Sequence, residues 1–110
     1  MISRFLLLIL VLSGITLNAK IVTLTWQDAV NPTGTNYSVY RSNSSCSTST
    51  LFVKIANSVA EKTYDNLDVG PGTYCYRVTA TFNGIESIPS NLAEAIIPLA
   101  PPAALTVTVK

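Results

Sequence analysis

From residue 21 onward, apolar and polar positions alternate with a period of two. In Gly70–Thr81, continued by Phe82, the residues Tyr74, Tyr76, Val78, Ala80 and Phe82 fall on one face, and Cys75, Arg77, Thr79 and Thr81 on the other. One apolar and one polar face predict a half-buried central strand, entered through the corner at Gly70, Pro71 and Gly72. Ile21–Trp26 repeats the pattern, with Val22, Leu24 and Trp26 inward and the β-branched Thr23 and Thr25 outward. Asn36–Ser42 sets Tyr37 and Val39 against Ser38, Tyr40 and Ser42. Leu51–Ala56 and Lys62–Leu67 predict short strands, with Tyr64 inward and Leu67 closing the second. Leu92–Ile97 predicts a returning strand ended by Pro98.

Between these runs, 27–35 and 43–50 predict loops, and 57–61 a turn. Asn83-Gly84 is a strong hairpin signal because both residues tolerate positive φ. No stretch after residue 20 carries helical periodicity. Six short strands at this spacing predict an all-β fold, an antiparallel two-sheet sandwich.

The first residues follow another pattern. Arg4 precedes an apolar run from Phe5 to Leu12 that fades toward Leu17, and Asn18-Ala19 leads to Lys20. That layout predicts a secretory signal peptide over 1–19, cleaved after Ala19 although Leu17 is large for its position. About 13 apolar residues fall short of the roughly 20 needed to span a bilayer. About 91 residues remain, enough for one small domain over 20–98 and a proline-rich tail over 99–110. The expected location is secreted or at the cell surface, periplasmic or extracellular, with no membrane attachment after cleavage.

Charge narrows the function. The chain has seven basic and six acidic residues, and loss of Arg4 balances them. A nucleic-acid partner is not expected without a basic excess. Charged residues make up 12% of the chain, about half the usual share, so little repulsion opposes self-association. Cys46 and Cys75 are the two cysteines, and histidine is absent. In an exported chain two cysteines point to one disulfide, here closing a loop of about 29 residues. A metal site needs more ligands than two thiols, and a nucleophilic thiol needs a base.

The ordered set of strands resembles a fibronectin type III domain of the kind found in bacterial secreted proteins. Trp26 at the end of Val22–Trp26 resembles that family's second strand, and Tyr37–Arg41 its third. Leu67 with Pro71–Ala80 resembles its corner and sixth strand, while Asn83–Ser87 with Ser90-Asn91 resembles its final hairpin and last strand. The resemblance spans 21–98 and implies an immunoglobulin-like sandwich. The family's arginine-glycine-aspartate adhesion tripeptide is absent from the Asn83 hairpin. The family's first strand is also missing before Val22. Beyond Pro98 the chain runs on to Leu105, Val107 and Val109, alternating with Thr106 and Thr108, which resembles the linker and first strand of a following module.

These features predict a non-enzymatic binding or structural module, with no catalytic residues, metal or cofactor. Tyr40 and Arg77 share the outer face of the third and sixth strands. They form a candidate binding face with cation–π character, or simply cover the sheet by touching each other. A protein or polysaccharide partner is expected, and Tyr40 is a short aromatic row for a carbohydrate-binding module. Trp26 reads as core, and Tyr74 as a corner tyrosine bonded to upstream backbone. Glu86 and Glu94 lack the cleft that a glycosidase pair requires. Asp28, Asp65 and Asp68 lack calcium-loop spacing. Asn36 and Asn43 begin N-glycosylation patterns, which matter only in a host with that machinery. The tail offers a second reading, a self-assembling subunit in which Leu105, Val107 and Val109 add as a strand to a neighbour. Folding back on its own domain would stretch 98–103 over roughly 20 Å.

Overall fold

A computed structural model describes residues 19–110; most of the expected signal peptide, 1–18, lies outside the described residues. Seven strands form: β1 (Lys20–Thr25), β2 (Asn36–Ser42), β3 (Val53–Val59), β4 (Thr63–Val69), β5 (Gly72–Phe82), β6 (Ile85–Glu86) and β7 (Ala93–Ile97). β1 and β4 pair as one antiparallel sheet. The other runs β3-β2-β5, and both β6 and β7 pair with the far side of β5. The fold is thus all-β, with two antiparallel sheets, as the alternation predicted.

The core lies on the inner face of the larger sheet. Val39 and Tyr76 are almost wholly buried, with Tyr37 beside them and Val69 supplied by the smaller sheet. Trp26 meets Tyr37 edge-on, with ring centroids 5.4 Å apart. Asn83 and Gly84 both take positive φ, and Phe82 pairs with Ile85 across them, the left-handed turn expected of this dipeptide. The Tyr74 hydroxyl donates to Gly70 O at 2.7 Å. A Cβ at Gly72, where φ is +153°, would stand 3.1 Å from that hydroxyl, so the corner requires glycine.

Four expectations change. Leu67 is 59% exposed and does not close the core. Asp68 takes positive φ, and the β1–β4 register shifts by one between Lys20 and Val22. This extra residue turns Val69 inward, and Asn66 takes the preceding inner site. β3 starts later and runs further than predicted, through a second irregularity around Ser58, where φ is +55°. Trp26 is only half-buried, because it stands at the open side of the sandwich. The outer face of the larger sheet is also less exposed than alternation implies: Ser38, Ser42, Cys75 and Thr79 are all buried.

Candidate functional site

That outer face gathers most of the chemistry-bearing side chains. Tyr40 and Arg77 are direct cross-strand neighbours, as are Ser42 with Cys75 and Ser38 with Thr79. The Arg77 guanidinium lies 4.1 Å from the centroid of Phe52 and 5.9 Å from that of Tyr40, with Lys54 5.7 Å from Tyr40 on the neighbouring strand. The Tyr40 hydroxyl and Thr79 Oγ1 both donate to Glu86 Oε2, each at 2.6 Å. These two donors hold the Glu86 carboxyl below its usual range. Tyr40 and Arg77 are therefore brought together: the Tyr40 hydroxyl is engaged by Glu86, and the Arg77 guanidinium lies against Phe52 and Tyr40. Arg77 Nε is buried without a partner.

The loop between β2 and β3 folds back over this face. Cys46 is bonded to Cys75, with Cα atoms 4.9 Å apart. Glu94 on β7 accepts the Cys46 N–H at 2.7 Å. Within the loop, Ser44 pairs with Ser42 and Ser49, and Ser45 pairs with Ser47 and Thr48. A tract without apolar periodicity is thus ordered by a bridge, a carboxylate and a hydroxyl chain.

A second polar cluster joins the two sheets. Arg41 Nη1 and the Tyr76 hydroxyl both donate to Asn66 Oδ1, at 2.9 and 2.8 Å, while the Arg41 guanidinium lies 5.1 Å from the Tyr74 ring centroid. Burial raises the Tyr76 phenol above its ordinary pKa. Sequence reading did not single out Arg41 or Asn66. Arg41 was findable, since it is in phase with Tyr37 and Val39; Asn66 depends on the bulge at Asp68.

At the opposite end, Asp28 organises 27–35. Its carboxylate accepts the N–H groups of Val30 and Asn31, the Asn31 amide and the Tyr37 hydroxyl, the last at 2.8 Å. The Asn31 backbone bond leads these in lowering the Asp28 pKa far below the carboxylate norm. Tyr37 is shifted upward, first by burial and then by Asp28. A depressed carboxyl stabilises the fold above its unfolded pKa of about 3.9 and loses that contribution as pH falls. The stability difference between wild type and Asp28→Asn is expected to be constant above about pH 5 and to shrink below about pH 4. Urea midpoints across pH test this, and a difference unchanged at pH 2 would refute it.

Beside this loop, the open side of the sandwich is a groove of about 210 Å³, bordered by Trp26, Asp28, Tyr37, Val78, Ile88 and Pro89. The Trp26 indole N–H is buried and unpaired. Across the groove, Ser87 and Ser90 replace a regular strand. Each donates its backbone N–H to a β5 carbonyl and accepts the matching β5 N–H on its hydroxyl, at Ala80 and Val78 respectively. Further along the chain, Leu105, Val107 and Val109 lie outside any strand and are more than four-fifths exposed. Among the described residues no cluster of three His, Cys, Asp or Glu can hold a metal ion, and no helix is long and apolar enough to cross a membrane. A comparison with protein-family models and with curated proteins finds no match.

Proposed function

We propose that the chain is a secreted, non-enzymatic module of fibronectin type III-like architecture, acting as a structural or binding unit outside the cytoplasm. The observation that carries the reading is the use made of the two edge carboxylates. Glu86 is bound to Tyr40 and Thr79, and Glu94 to the backbone of the bridged loop. Glu86 ties strands together and Glu94 ties the loop to β7, whereas hydrolysis by a carboxyl pair needs the two facing one another across a substrate. The strand order, the Tyr74–Gly70 contact and the position of Trp26 support the family resemblance. The bridge supports export to an oxidising compartment. A sugar-stacking role for Tyr40 is the weaker reading, since Lys54 and Arg77 stand by its ring and Glu86 holds its hydroxyl.

A turnover screen on glycoside and ester substrates tests the proposal. The exported protein is expected to give rates indistinguishable from those of the Glu86→Gln and Glu94→Gln variants. Turnover that disappears in either variant would overturn it.

A further inference from the structure

We infer that residues 104–109 of one molecule add as a strand to the free edge of β1 in a second copy, giving a head-to-tail assembly. This names a partner for the module proposed above and rests on that reading only in taking the exported form as the assembling one.

The acceptor is a two-stranded sheet. Among the described residues β1 pairs with β4 alone, so its other edge offers a row of backbone donors and acceptors. The groove containing the unpaired Trp26 indole begins just past the end of β1, and Val22, Leu24 and Trp26 are only half-buried. The donor is a segment of matching length and pattern. Leu105, Val107 and Val109 alternate with Thr106 and Thr108, just as Val22, Leu24 and Trp26 alternate with Thr23 and Thr25.

One antiparallel register pairs all three apolar residues of each segment and both threonines between them. It sets Leu105 opposite Trp26, Val107 opposite Leu24 and Val109 opposite Val22. The same register sets Thr106 opposite Thr25 and Thr108 opposite Thr23, and both apolar and threonine cross-strand pairs are favourable. A one-residue slip would turn the apolar side of the tail to water, and a two-residue slip would leave an apolar pair unmade, so this register makes the most contacts.

In the antiparallel register, chain direction decides between self and neighbour. Ile97, the end of β7, pairs with Gly72, while Lys20, the start of β1, pairs with Val69 just before the same corner. The tail therefore leaves the domain where β1 begins, but in this register Leu105 must sit where β1 ends. Within one molecule, 98–104 would run back along the whole of β1, about 20 Å, and also cross between the sheets. Seven residues carrying Pro98, Pro101 and Pro102 reach roughly 22 Å at polyproline rise, which leaves no length for the crossing. A neighbour placed end-on receives the tail without reversal. The contact uses two different surfaces and does not close, so it propagates.

The test compares the exported protein, bridge intact, with a chain lacking 104–110 and with Val107→Lys, by sedimentation over a range of concentrations. Mass is expected to grow with concentration for the wild type, to stay monomeric after deletion, and to need about tenfold more protein in Val107→Lys. A Thr25→Cys/Thr106→Cys chain, oxidised and run unreduced, should give a ladder of covalent oligomers. A wild type monomeric at every concentration overturns the inference. So does association that survives the deletion, or a double-cysteine chain that closes only on itself. None of these readouts involves turnover, so the inference and the proposed function fail separately.

Discussion

Tyr76→Ala is expected to cost about 3–5 kcal/mol, the range for truncating a fully buried aromatic. Tyr76 is 1% exposed at the centre of β5, and its ring is the largest wholly buried side chain among the described residues. A domain of this size holds roughly 5–14 kcal/mol in total, so the variant should melt about 20 °C lower or fail to accumulate. Tyr76→Phe separates packing from the polar bridge. It removes one donor to Asn66 Oδ1 while Arg41 continues to donate there, so a loss of only about 1 kcal/mol is expected. Urea unfolding of both variants checks the claim, and equal losses would show that the bridge outweighs the ring.

Removing the disulfide through Cys46→Ala with Cys75→Ala is expected to cost about 3.5 kcal/mol, from a 29-residue separation in the chain-entropy account. The melting temperature should fall by about 15–25 °C. The effect is large because the bridge orders a hydroxyl-rich tract with little apolar surface of its own, and that tract buries Cys75, Ser42 and part of the sheet. Glu94 remains as a second anchor on Cys46 N–H, so the loop is expected to loosen while the sheet persists. A loss below about 1 kcal/mol in calorimetry would mean that the hydroxyl contacts hold the loop unaided.

Strand faces were legible in the sequence wherever period two runs unbroken. Val22, Leu24, Tyr37, Val39, Tyr74 and Tyr76 need only local alternation to declare their side, and Asn83-Gly84 declares its turn by backbone preference alone. The exchange of Leu67 for Val69 was not legible. It depends on a left-handed Asp68 and the register shift opposite it in β1, which local alternation does not carry. The burial of Ser42 and Cys75 was equally hidden, because a face that looks solvent-bound in the sequence is met there by a loop without periodicity. Of the candidate site residues, Tyr40 and Arg77 stand opposite one another across β2 and β5. Their engagement by Phe52, Lys54 and Glu86 depends on long-range register between β2, β3, β5 and β6, which no single stretch carries.

The bridge between Cys46 and Cys75 has a further consequence when the molecule bears load along its chain. A pull applied between Lys20 and the tail can peel β7 from β5 and β1 from β4, yet it cannot extend the segment enclosed by the bridge. Those 29 residues, about 100 Å of contour at full extension, are withheld while the bond stays oxidised. Rupture of the domain therefore yields a thread shorter by about a third, since 29 of the roughly 91 residues from Lys20 onward stay closed. In a reducing environment the same module becomes a tether about half as long again.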